Sequence, residues 1–366
     1  MTSLLCAGTL LTVAGLFAQQ EGPVKDTGNT VAKPRKSTDS TTPGEDPNLP
    51  KIPSQYKKEK QDLENAPSFK LDVDMVTLDV AVLDNKGQFI PGIPGGNFRV
   101  LEDNVPQQLR KVEMGEAPLT LALVIEFSNK FQQMYSWAWF QTLQLAWSFA
   151  STLKPEDYCA VIAYDIKPEI LSDFTTNRAQ TQEALHRLTI PAWREANLFD
   201  AVTDTADRMS GIEGRKAILL ITTGVDTFSK ITYDQARKKL QEAGVPIYSI
   251  SLMGMQRAMM PSEPIGLLQA DNELKTFAKE TGGQAFFPRF QGEYPQMYAQ
   301  IHQALRSQYV LSYSSNNKNH DGAFRKLKVE LVDKEGNPLP VKDEKGKPIK
   351  YQIIAKAGYK APRSVE

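Results

Sequence analysis

The chain has 366 residues, 41% of them hydrophobic and 23% charged, with 43 basic side chains balanced by 43 acidic ones. That length exceeds one ordinary domain of roughly 100–200 residues and predicts two folded units plus tails, while the composition excludes wholesale disorder. The even charge leaves no electrostatic footprint for nucleic acid or an anionic membrane.

Taken from the start, Leu4 to Ala18 is an apolar run too short to span a bilayer comfortably, which needs ~20 residues. It reads as a signal peptide over residues 1–18 and hence as export to the periplasm, the envelope or the medium. No Lys or Arg precedes the run, so retention as an N-terminal anchor is the alternative. Removal would take Cys6 with it and leave Cys159 as the one thiol, which excludes an internal disulfide framework. Cys159 lies in an apolar strand-like stretch, the setting of an inert core thiol. Residues 19–67 are rich in Pro, Ser, Thr, Lys, Asp and Glu and predict a disordered linker.

Residues 68–116 alternate apolar and polar positions at period two, in Leu71 to Val82, Phe98 to Asn104 and Gln108 to Val112, with a turn at Asp84-Asn85-Lys86-Gly87. The same alternation returns in residues 307–362, at Tyr309 to Tyr313, Arg325 to Leu331 and Tyr351 to Ala355. Neither stretch alone closes a sandwich, and the economical arrangement is one β-sandwich made from both flanks. Between them, residues 118–306 alternate strand and helix. Strands are predicted at Leu119 to Glu126, Tyr158 to Tyr164, Glu169 to Phe174, Ala217 to Thr222 and Pro246 to Leu252. Helices are predicted at Tyr135 to Leu153, Gln180 to Leu188, Leu198 to Met209, Tyr233 to Ala243, Leu274 to Glu280 and Pro295 to Leu305. The fold class is therefore α/β, a doubly wound and mostly parallel sheet, with ligands expected outside the carboxyl ends of its strands.

The order of these elements, with Leu121 to Lys130 after the first strand, Leu198-Phe199-Asp200-Ala201-Val202 and Ala217 to Asp226, resembles a von Willebrand factor type A domain. Val100 to Gln107 before it, and Gln308 to Tyr313, Phe324-Arg325-Lys326 and Gly358 to Pro362 after it, look like the Acidobacteria-type VWFA-related family. The resemblance covers Phe69 to Pro362. It implies a metal-ion-dependent adhesion site in which an Asp-x-Ser-x-Ser loop, a Thr and an Asp hold Mg²⁺ or Mn²⁺, since hard cations take oxygen ligands.

Carried onto this chain, the first-loop positions are Glu126, Ser128 and Lys130, the Thr falls on Ala196 and the Asp on Thr223. Ser128 alone matches; Glu126 and Thr223 keep an oxygen, Ala196 offers none and Lys130 brings a cation of its own. The replacements predict an occluded or absent metal site with a Glu126 to Lys130 pair. Were a cation held, Glu126, Ser128 and Thr223 would hold it, with Asp226 or Asp200 compensating. The partner-binding edge is then Glu126, Ser128, Asn129, Lys130, Trp193, Arg194, Thr223 and Asp226, Trp and Arg being residue types favoured at interface hot spots.

The helix at Tyr135 to Leu153 carries Trp137, Trp139, Phe140, Trp147 and Phe149, either wedged into the core or partly exposed for docking. Met253, Met255, Met259 and Met260 read as an adaptable loop. His186, His302 and His320 lack metal-ligand spacing, and no nucleophile elbow or phosphate loop occurs, so no enzyme is predicted. The expectation is an exported protein that binds another protein or an envelope component, with no nucleic acid and no small-molecule substrate. The rivals are a divalent-cation-dependent adhesion module, and a structural envelope component or accessory factor of an enzyme.

Overall fold

A computed structural model describes residues 75–363, apart from 116–117, 129–135, 190–192, 213, 255–264 and 343–345; for 115, 136–139, 141 and 265 it describes the backbone alone. The predicted signal peptide and linker, Asn129, Lys130 and its pair with Glu126, the side chains of Trp137 and Trp139, and Met255, Met259 and Met260 therefore lie outside the described residues.

The flanks contribute two four-stranded sheets. One has the order β13 (Tyr351–Ile354), β1 (Met75–Asp84), β11 (Gln308–Ser314), β4 (Leu109–Gly115); the other runs β14 (Gly358–Lys360), β12 (Phe324–Leu331), β2 (Phe98–Glu102), β3 (Val105–Gln107). Each mixes strands from before residue 116 with strands from after residue 307, and all their pairings are antiparallel. The period-two pattern explains the packing: Leu78, Val80 and Val82 of β1 share one core with Phe98, Val100, Leu327 and Leu331 of the other sheet. The intervening positions Ala81 and Leu83 face the other way, into a cluster with Ile301, Ala304 and Leu305. Asp103 and Asn104, read from the sequence as part of a strand, form the β2–β3 turn instead, both at positive φ, which Asn and Asp tolerate.

The middle of the chain forms a six-stranded sheet in the order β10 (Ala285–Phe286), β9 (Ile247–Ser251), β8 (Arg215–Thr222), β5 (Leu119–Glu126), β6 (Tyr158–Tyr164), β7 (Pro168–Thr175). All neighbours are parallel except β6 and β7, which form an antiparallel hairpin. β5 is almost wholly buried because both its faces are covered: Leu121, Leu123 and Ile125 pack with α1 (Ser136–Ala150) and α6 (Tyr294–Arg306). Ala122 and Val124 pack on the other side with α3 (Leu198–Ser210), α4 (Tyr233–Ala243) and α5 (Ile265–Thr281). α2 (Arg178–His186) covers the β6–β7 hairpin and starts at Asn177, whose side chain accepts from Ala179 N. α4 begins with a capping box between Thr232 and Gln235 and ends at left-handed Gly244.

α5 starts nine residues before the Leu274 read from the sequence. Its buried apolar positions Ala270, Leu274, Phe277 and Ala278 are spaced as one helical face, while Gly266, Leu268 and Gln269 ahead of them are exposed, so the helix begins before the face that packs. Among the described residues no helix is long and apolar enough to cross a membrane.

Candidate functional site

The strand order reverses at β5, with β6 and β7 built to one side and β8, β9 and β10 to the other. In open α/β sheets the crevice at such a reversal, outside the carboxyl ends of the strands, is where ligands bind. Three strand ends meet there. Glu126 closes β5, its register partner Tyr164 closes β6, and Thr222 closes β8.

Glu126 is only 4% exposed, and its carboxylate is surrounded by donors from this chain. Oε1 accepts from Ser128 Oγ at 2.7 Å; Oε2 accepts from Thr222 Oγ1 at 2.9 Å and from both the N–H and the Oγ1 of Thr223 at 2.8 Å. Tyr164 OH lies 3.4 Å from the same Oε2 and 2.7 Å from Thr222 Oγ1. Burial, and then the negative charge of Glu126 beside it, pushes the Tyr164 phenol well above its ordinary range, so it stays a neutral donor. Such charge-assisted hydrogen bonds are the strong ones, and together they supply what a buried carboxylate loses on leaving water.

The oxygens available to a divalent cation are thus turned toward one another. The hydroxyls of Ser128, Thr222 and Thr223 all donate into Glu126. Ala196 is buried and adds no side-chain oxygen; its backbone anchors loops, its N–H donating to Thr227 Oγ1 at 2.9 Å and its carbonyl accepting from the N–H groups of Thr227 and Phe228. Asp226 is engaged as well: it accepts from Phe199 N in the first turn of α3 and from Ser229 Oγ at 2.5 Å. Asp200, in that same turn, accepts from Lys230 N at 3.0 Å. Among the described residues no cluster of three His, Cys, Asp or Glu side chains is placed to hold a metal.

Gly224, at φ +81°, lets the chain turn off β8; a Cβ there would lie 2.9 Å from Leu274. The turn brings Asp226 toward Glu273 on α5, whose carboxyl is pushed up, first by burial and further by the charge of Asp226.

Of the residues the sequence assigns to this edge, Glu126, Ser128 and Thr223 come together but are buried. Trp193 is 54% exposed and Arg194 is exposed too, three and two residues ahead of Ala196. Tyr164 and Thr222 were not singled out from the sequence; the signal available is their place as the last residues of the strands that flank β5. Phe228, stitched to Ala196 and exposed, was also missed.

No family model and no curated protein sequence matches the chain. Similar solved structures include the conserved hypothetical protein BatB from Bacteroides thetaiotaomicron, at 13% identity and TM-score 0.40 over 51% of this chain and 98% of that one. An aerotolerance-related membrane protein from Bacteroides fragilis, with multiple mutations to serines, is similar at 16% identity and TM-score 0.39, covering 51% of this chain and 98% of that chain. The vWF domain of the type V pili tip protein Mfa5 from Porphyromonas gingivalis is similar at 13% identity and TM-score 0.40, covering 52% and 97%.

Proposed function

We propose that this is a binding protein without enzymatic activity, of von Willebrand factor type A architecture, which engages another protein or an envelope component through the carboxyl edge of its six-stranded sheet. The observation that carries the reading is that five of the ten large exposed apolar side chains among the described residues fall on segments at that edge. Trp193 and Phe228 lie on loops joined at Ala196; Phe140 and Leu268 are near the starts of α1 and α5, which follow β5 and β9; Phe290 comes just after β10. All five belong to segments that leave or approach the same edge. Exposed aromatic and aliphatic groups collected on one face are the mark of a partner surface.

In this reading Glu126 and its hydroxyl donors form a fixed floor under that surface, no Mg²⁺ or Mn²⁺ is required, and the apolar run near the N-terminus exports the chain. The two flanks form one β-sandwich that carries the α/β layer.

Affinity capture from the native envelope tests it. Wild-type protein is expected to retain a discrete partner, and Trp193→Ala with Phe228→Ala is expected to weaken retention by roughly tenfold or more. Equal recovery by both proteins removes this edge from the proposal. Calorimetric titration with Mg²⁺ and Mn²⁺ is expected to give no saturable heat, and micromolar binding would defeat the cation-free reading.

A further inference from the structure

A cavity of about 1040 Å³ lies where the ends of two sheets approach, walled by Gly283 to Ala285 on one side and Gln352 to Ala355 on the other. β10 is the last strand of the six-stranded sheet and β13 the last strand of its four-stranded sheet, and among the described residues neither has a neighbour on its outer side. An edge strand turns alternate N–H and C=O groups outward, which makes it a template for another strand. The walls converge at one end. There Ala357 N donates to Glu280 O at 2.9 Å, and a Cβ on Gly282 would lie 2.6 Å from Lys356 N.

The lining is apolar at Phe287, Val329 and Ile353, and its charges are lopsided. Five cations, Arg237, Lys275, Lys279, Lys328 and Lys356, stand against one carboxylate, Glu280. Glu280 is taken by Arg237, and Lys328 is paired with Glu330, so the exposed Lys275 and Lys279, one helical turn apart on α5, carry most of the uncompensated charge. Gln284 Oε1, on the β10 wall, is buried with no hydrogen-bond partner among the described residues, an acceptor without an N–H.

We propose that this cleft is a strand-addition site that takes an extended, acidic segment of a partner protein. The segment lies along the outer edge of β13, about four residues in register with Tyr351–Ile354. Its alternate apolar side chains meet Val329 and Ile353, and its carboxylates meet Lys279 and Lys275, whose ammonium lies over the Phe287 ring at 4.9 Å. Main-chain hydrogen bonds give the affinity, and the lysines select acidic sequences over basic ones.

The test uses the intact protein and a fluorescein-labelled synthetic peptide of about eight residues alternating Glu with Val, read by fluorescence anisotropy. Binding is expected at tens of micromolar, roughly −6 kcal/mol. It should weaken at least tenfold with Lys275→Glu and Lys279→Glu together, and equally when alternate peptide nitrogens of the probe are methylated, while amide exchange over residues 351–355 slows on binding. Trp193→Ala with Phe228→Ala should leave it unchanged, which separates this cleft from the carboxyl edge. The proposal is overturned if the peptide fails to bind up to about 1 mM, a ceiling near −4 kcal/mol. It is equally overturned if the methylated probe binds as well as the parent, or if the lysine reversals have no effect while the carboxyl-edge variant abolishes binding.

Discussion

Glu126 accepts hydrogen bonds from Ser128, Thr222 and Thr223, with Tyr164 OH beside them, so its removal leaves the buried Thr222 and Thr223 donors without their acceptor. Glu126→Ala is expected to cost about 3 kcal/mol, since hydrogen bonds to a charged group contribute about 1.5–3 kcal/mol and unsatisfied donors add to the loss. The urea midpoint measures it, and an unchanged midpoint would mean that water replaces the carboxylate. Cys159 gives a second expectation. Burial pushes its thiol up to about 12, so in the native state at neutral pH it should resist alkylation by iodoacetamide and react only on unfolding. Glu126, Ser128 and Thr223 were legible in the sequence because the resemblance to a von Willebrand factor type A domain carries its metal-site positions onto them. Tyr164 and Thr222 were not, because only the register of β6 and β8 against β5 brings them to the same carboxylate, and register across parallel strands leaves no trace in local periodicity.

At the scale of elements, Asp157 joins three of them. It accepts from Leu119 N at the start of β5 at 3.0 Å, from Lys154 N in the turn after α1 at 2.7 Å, and from Arg306 at the end of α6 at 2.5 Å. Burial raises its carboxyl, but the Arg306 hydrogen bond and the two backbone N–H groups outweigh that and hold it below the ordinary carboxylate range. A carboxylate depressed in the fold adds stability that is present above its unfolded value, near ~3.9, and is lost as pH falls through the folded one. Urea midpoints should therefore drop on acidification below about pH 4, and Asp157→Asn should be less stable at neutral pH with a shallower acid limb. Gly283 marks another tight junction: a Cβ there would lie 2.0 Å from Ile247 O, so Gly283→Ala should lower stability by about 1–3 kcal/mol or more. Most elements were legible from period alone, β5 as a nearly continuous apolar run and β1 from its alternation. The antiparallel direction of β7 was not, because an alternating pattern carries no sense of direction, and the first turns of α5 were not, because Gly266 and Asp271-Asn272 interrupt the helical pattern there.

Across the whole molecule, the two chain flanks are held by one buried polar knot. Glu102 of β2 accepts from Tyr313 OH at 2.8 Å, Ser315 Oγ at 2.6 Å and Tyr359 OH at 3.0 Å, and pairs with Arg325 at 3.2 Å, so an early strand is bound to residues from β11, β12 and β14. Breaking a buried pair of this kind costs about 3–5 kcal/mol, and Glu102→Ala is expected to lower the unfolding midpoint by that measure. The α/β layer hangs from the same sheets. Gly115, the last residue of β4, is the register partner of Gln308, the first of β11. Were the intervening chain cut out, those two residues would be a reverse turn's distance apart, and Asn-Gly could join them as a simple hairpin. An order of folding is expected from that: closing so long an excursion is entropically costly until the excursion has compacted and brought its own ends together, so the zipping of β4 onto β11 is expected to follow the α/β layer.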